Sequence, residues 1–170
     1  MNHKSQNLIL ELSRFYSDHD TTNFIVSDFI HAFGSPLEAM TYAKLFWPDF
    51  VQVDELLLRS DIIEDESDAE RVRQALRQWN GDLMKTERAF NRLDIPAGVF
   101  GKRISESNDL IDEQLAETLV EMWDARLNQV FPDRKFLVIL ERESDGEMSV
   151  TFYQNRKNSF YESSGERTNH

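Results

Sequence analysis

A chain of 170 residues, 40% hydrophobic and with twelve phenylalanines, is large and apolar enough to bury a core without disulfides or a structural metal. It contains no cysteine, which excludes disulfides, thiolate metal sites and cysteine nucleophiles together. Its net charge of −12 is opposite to the basic footprint of a duplex-binding protein, so nucleic acid is not expected as the main partner. The N-terminal stretch lacks the charged, apolar and small-residue pattern of a leader, and no apolar run approaches a membrane span. A cytoplasmic protein without a membrane partner is the expectation.

Residues 5–16 read as a helix with Leu8, Leu12, Phe15 and Tyr16 on one face. Asp18-His19-Asp20-Thr21-Thr22 is turn and cap chemistry. A second helix over residues 23–33 has Ile25, Phe29, Ala32 and Phe33 as its buried face, and Gly34 is placed to end it in a left-handed conformation. Ser35, Pro36 and Glu38 then form a helix start: a cap, a proline in the first turn and the acid that completes a capping box. Leu37, Met40, Ala43 and Trp47 give this third helix one apolar face, and Pro48 stops it. Phe50, Val51 and Val53, then Leu56, Leu57 and Leu58, read as strand. The alternation slips at Asp54-Glu55, where a bulged strand is favoured over a small hairpin.

Residues 61–70 are acidic, with Ser67 and Glu70 as a second capping box. Val72, Leu76, Trp79, Leu83, Thr86, Phe90 and Leu93 recur in steps of three and four without a phase change at Asn80-Gly81. The pattern favours one helix over residues 68–93, about 39 Å long, with two helices broken at Gly81 as the alternative. Its outer face is basic: Arg73, Arg77, Lys85, Arg88 and Arg92. Residues 95–103 are a loop anchored by Val99 and Phe100. A last helix opens near Ser107 or Asn108, carries Ile111, Leu115, Leu119, Met122, Trp123, Leu127 and Val130 as a core stripe, and closes at Pro132.

Phe136 to Leu140 is a nearly all-apolar strand, residues 144–147 (Ser-Asp-Gly-Glu) are a hairpin turn, and Met148, Val150 and Phe152 alternate with Ser149, Thr151 and Tyr153. The continuous arm is expected inside the sheet and the alternating arm nearer solvent. The fold class is therefore α+β: about five helices packed on a small, mostly antiparallel sheet from residues 50–58, 136–142 and 147–154, ending in a C-terminal β-hairpin. Residues 1–156 are expected as a single globular domain and 157–170, aperiodic and polar, as a flexible tail.

No residue pattern prescribes a reaction. GxGxxG, GxxxxGK[ST] and GxSxG are all absent. The run Gly98-Val99-Phe100-Gly101-Lys102-Arg103 lacks the strand and helix that flank a phosphate loop, so it reads as a turn. The acidic run at 61–70 has no EF-hand glycine. Trp47, Trp79 and Trp123 all fall on apolar stripes and read as core.

Two functions follow. The first is a non-enzymatic, acidic protein-binding module, of the immunity or inhibitor type, that neutralises a basic partner protein. Its contact residues would be Glu64, Asp65, Glu66, Glu113, Glu117, Glu121 and Asp124, with no cofactor. The plainer meaning of the same acidity is solubility. The alternative function is a small metal-dependent hydrolase using Asp20, Asp28 and His31, with His19 nearby.

Overall fold

Two hairpins and the helices that cover them build the structure, a computed structural model that describes residues 3–100, 108–144 and 147–156. The order is α1 (His3–Phe15), α2 (Val26–Phe33), α3 (Pro36–Phe46), β1 (Phe50–Val53), β2 (Leu56–Arg59), a 3-10 turn (Ser60–Ile62), α4 (Glu66–Gln78), α5 (Leu83–Phe90), β3 (Leu93–Ile95), the one-turn α6 (Ala97–Phe100), α7 (Asp109–Val130), β4 (Phe136–Arg142) and β5 (Met148–Gln154). The fold is α+β, with six helices of eight residues or more and two small antiparallel sheets among the described residues. The expected C-terminal tail at 157–170 lies outside the described residues.

Residues 50–59 form a hairpin of their own rather than a bulged strand. Phe50 pairs with Arg59 and Val53 with Leu56, and Asp54-Glu55 makes the turn. Asp54 takes φ 52, a region that a short polar residue tolerates better than a β-branched one. The slip in alternation at Asp54-Glu55 is thus a reversal of the chain. This hairpin also stands apart from the C-terminal sheet, whose third strand is the short β3 in the order β3-β5-β4.

In that sheet the expected exposure is inverted. β5 is central and buried, while β4 is an edge strand with Leu137 40% exposed. Alternation in β5 separates two buried faces. Val150 and Phe152 pack on Trp123 of α7, and Ser149 and Thr151 face α5, where Thr151 Oγ1 donates to the carbonyl of Arg88 at 2.7 Å. β2 shows the same two-sided burial with apolar residues. Leu57 belongs to the core under α7, whereas Leu56 and Leu58 join Val53, Ala69 and Val72 under α4.

The single long helix expected over residues 68–93 is instead α4, α5 and β3. After Gln78, the N–H of Gly81 donates to the carbonyl of Leu76 and that of Asn80 to Arg77, a Schellman stop with Asn80 at φ 55 and Gly81 at φ 79. Asp82 then caps α5 through the N–H of Lys85 at 2.9 Å. The apolar phase continues because Leu76 of α4 and Leu83 and Phe90 of α5 pack against the same core cluster. The α4 start is also two residues earlier than Ser67: Asp65 is the cap, accepting from the N–H groups of Ser67 and Asp68.

Ser35 does cap α3, accepting from Glu38 N–H at 3.4 Å, with Pro36 behind it. Gly34 is not left-handed, at φ −72 and ψ 144. A Cβ there would sit 2.4 Å from the carbonyl oxygen of Ile30, so close backbone approach requires the glycine.

α5 ties the two sheets together with side chains. Glu87 and Asn91, one helical turn apart, are both fully buried. Glu87 Oε1 accepts from Leu57 N–H at 2.9 Å and Oε2 from Gln154 N–H at 2.7 Å. Asn91 Oδ1 accepts from Arg59 N–H at 3.0 Å, while its Nδ2 donates to the carbonyls of Leu57 at 3.0 Å and Phe152 at 3.3 Å. Four helical residues rise about 6 Å and two strand residues about 6.6 Å. That match lets one pair of side chains read Leu57 and Arg59 on β2 and residues 152 and 154 on β5.

Candidate functional site

The seven acidic residues expected to face a partner fall on two elements, α4 with its lead-in and α7. Asp65 is engaged as the α4 cap, and its hydrogen bonds from Ser67, side chain first and then backbone, hold its carboxyl below the usual carboxylate range. Glu66 accepts from Arg73 Nη1 at 2.6 Å, and Glu113 from Arg142 Nη2 at 2.5 Å. Asp124 accepts from Asn128 Nδ2 at 3.1 Å. Glu64 and Glu121 are exposed and make no ion pair among the described residues, and Glu117 is half-buried on α7. Glu66 and Glu113 thus each face an arginine, while Asp65 and Asp124 are held by neutral hydrogen-bond partners in their own helices.

The basic face expected on the long helix is also compensated. Arg73 bonds Asp54 and Glu66, Arg77 bonds Glu70, Arg88 bonds Glu141, and Arg92 bonds Asp94 and Glu143. Exposed pairs of this kind contribute roughly 0–1 kcal/mol each. Lys85 lies over the Trp79 ring at 5.1 Å.

Of the residues of the hydrolase alternative, His31 is exposed in the last turn of α2, and Asp20, Asp28 and His19 have local duties. Asp20 accepts from Thr22 N–H at 3.1 Å, and the Thr22 side chain and backbone hold its carboxyl below the usual range. Asp28 Oδ2 accepts from Ile25 N–H at 2.9 Å at the start of α2. His19 packs on the Phe33 ring at 5.1 Å, in an aromatic cluster with Tyr16 and Phe29. Among the described residues no three His, Cys, Asp or Glu side chains are grouped to hold a metal ion.

Two features escaped the sequence reading. Arg59 is buried, its guanidinium 5.0 Å from the Trp123 ring centre and 3.1 Å from Asp61, with Nε and Nη1 unbonded. Burial pushes it below the usual arginine value, and Asp61 acts in the opposite direction. Nothing in the triplet Leu57-Leu58-Arg59 marks the arginine as internal.

The second feature is α3. None of its residues is buried, and Leu37 and Met40, expected in the core, are 78% and 65% exposed. Its core contact comes instead from Leu45 and Phe46, with Trp123 Nε1 donating to the Leu45 carbonyl at 2.9 Å. Of the three tryptophans only Trp123 is fully buried; Trp47 is 38% exposed beneath Arg126. The available signal was that α3 carries apolar residues on opposite sides, so only one side can meet the core. Leu8, Phe46, Ile111 and Leu115 line an apolar recess of about 300 Å³ where α1, α3 and α7 meet.

No helix among the described residues is long and apolar enough to cross a membrane. No family model, curated protein or solved structure matches the chain.

Proposed function

We propose that the chain is a non-enzymatic protein-binding module that engages a basic partner, in the manner of an immunity or inhibitor protein. The observation that carries this reading is the distribution of charge. The first 48 residues hold three basic and five acidic side chains, a net −2, and the remainder holds sixteen basic and twenty-six acidic, a net −10. The segment that builds the two sheets, α4, α5 and α7 therefore carries most of the net negative charge. Its field draws a cationic surface and raises the encounter rate. Glu64 and Glu121 supply charges that no described side chain compensates, with Asp124 one turn beyond Glu121.

The test is co-purification of the tagged full chain from its native cell, followed by binding measurements on the protein recovered. A basic partner is expected, bound more weakly as salt rises. Joint reversal of Glu64, Glu121 and Asp124 to lysine should weaken binding at least tenfold while the melting temperature holds. Binding that ignores both salt and charge reversal removes the basis of the reading.

A further inference from the structure

The strand margins of the two sheets are closed unevenly. Glu87 and Asn91 occupy main-chain groups on the margin of β2 and at the end of β5. β3, one edge of the larger sheet, is three residues long with the exposed Asp94 at its centre. β4, the other edge, has neither kind of protection. It runs seven residues in unbroken register, and residues 136–140 contain no charge and no proline. The bonds from Asn155 N–H to the Lys135 carbonyl and from Glu143 N–H to the Glu147 carbonyl set its orientation. Odd-numbered residues turn their main-chain groups toward β5. Those of Phe136, Val138, Leu140 and Arg142 therefore point outward, and none is hydrogen-bonded among the described residues. Phe136, Val138 and Leu140 pack on the core under α7 yet stay only half-buried, so solvent reaches this edge.

We infer that this edge pairs with the β4 edge of a second copy of the chain, antiparallel about a twofold axis at Ile139, and joins the two three-stranded sheets into one. The strand is its own complement, which selects that occupant. Ile139 is the midpoint of Phe136–Arg142. Pairing about it sets Phe136 opposite the partner copy's Arg142 and Val138 opposite its Leu140. All four outward-pointing residues then meet one another, closing about eight main-chain hydrogen bonds. Charge agrees. β4 follows Arg134 and Lys135 and runs out through Glu141, Arg142 and Glu143. The antiparallel alignment sets Lys135 opposite the partner copy's Glu143, twice by symmetry, and places no like charges directly opposite. Lys135 is exposed and makes no ion pair among the described residues, and Glu143 is 50% exposed beside Arg92. A parallel pairing in the same register would set like ends together. This inference goes beyond the proposed function and stands or falls independently of it.

Sedimentation equilibrium of the full chain decides it, at an ionic strength where like charges are screened beyond about 8 Å. Wild type should shift from the 20.0 kDa monomer to a dimer between micromolar and millimolar concentration. Val138→Pro removes an outward N–H and none that β5 uses, and should stay monomeric over that range. Charge exchange is the check that does not depend on how well the proline variant folds. Lys135→Glu should weaken the dimer at least fivefold, and adding Glu143→Lys to it should recover most of the loss. Because the chain lacks cysteine, oxidation gives a second readout. Ile139→Cys should form a disulfide-linked dimer across the axis, whereas Leu137→Cys, two residues off the axis in each copy, should not. A wild type that is monomeric at every concentration overturns the inference and leaves the edge to a different strand. A dimer that survives Val138→Pro, or that shows no coupling between positions 135 and 143, also overturns it.

Discussion

Arg156, just past the end of β5, grips the buried carboxylate of Glu87 with both ends of its guanidinium. Nη1 lies 2.9 Å from Oε2 and Nη2 lies 2.8 Å from Oε1. The same Nη2 donates to the carbonyl of Glu55 in the chain segment between β1 and β2, at 2.8 Å. One side chain thus joins the end of the described C-terminal segment to α5 and to the first hairpin. Glu87 is 0% exposed, so its charge depends on this partner and on two backbone N–H groups.

Removing that partner should be costly. Arg156→Ala leaves a buried carboxylate without its counter-charge and is expected to lower the unfolding free energy by about 3 kcal/mol. Arg156→Lys should recover only part, because an ammonium does not reproduce the two-pronged geometry. Urea denaturation measures both. A midpoint for Arg156→Ala equal to wild type would mean that Glu87 is satisfied by the backbone alone.

Gly81 offers a test in which the sign decides between two architectures. In one continuous helix, Gly81→Ala would stabilise by about 1 kcal/mol through helix propensity. In the observed stop, φ is 79 and nothing lies within 4 Å of the added methyl, so the backbone conformation alone governs the result. The substitution is then expected to destabilise by about 1 kcal/mol. A higher urea midpoint for the variant would contradict the break between α4 and α5.

Asp65 predicts a pH dependence. Its folded pKa lies below the unfolded value of about 3.9, with the Ser67 side chain the largest cause, followed by the backbone of Ser67 and Asp68. A depressed pKa contributes stability that is fully present above the unfolded value and is lost as pH falls through the folded one. Asp65→Asn retains a neutral cap that does not titrate. The stability difference between wild type and Asp65→Asn should therefore be constant above about pH 5 and drift toward the asparagine variant below about pH 4. Asp20, Asp49 and Glu70 are also held low and fade over the same acid range, so the difference between the two proteins is the quantity to follow. A difference that stays flat down to about pH 2 would remove the charge from the cap.

Local chemistry carried the legible part of the fold. The Ser35-Pro36 helix start, the Pro48 stop and the β4–β5 pairing are each dictated by a few adjacent residues, and they stand as expected. The misreadings arose where one pattern has two physical causes. An unbroken apolar phase through Asn80-Gly81 means one helix, or two helices over the same core; the αL stop and the Asp82 cap distinguish them. Alternation in β5 means one wet face, or one polar face buried under a helix, and Thr151 bonded to Arg88 shows the second. The candidate surfaces were less legible. Glu66 and Glu113 read as open acids because Arg73 and Arg142, which compensate them, are seven and twenty-nine residues away in sequence. Leu37 and Met40 read as core because periodicity records that a face is apolar and leaves open what it meets.

The bridge made by Glu87 and Asn91 has a consequence for the protein's fate when it is stressed. Among the described residues β2 is paired only on its β1 side, and β5 has no β3 neighbour beyond Val150. The main-chain groups exposed by both endings are the ones that these two side chains occupy. α5 therefore stands in for a missing strand and closes two sticky margins at once. If its eight residues unwind while the hairpins persist, both margins open together beside the apolar faces of β2 and β5. Aggregation on heating or in dilute denaturant should then begin with the melting of this short helix rather than with global unfolding. Substitutions at Asn91 should hasten turbidity out of proportion to their effect on stability.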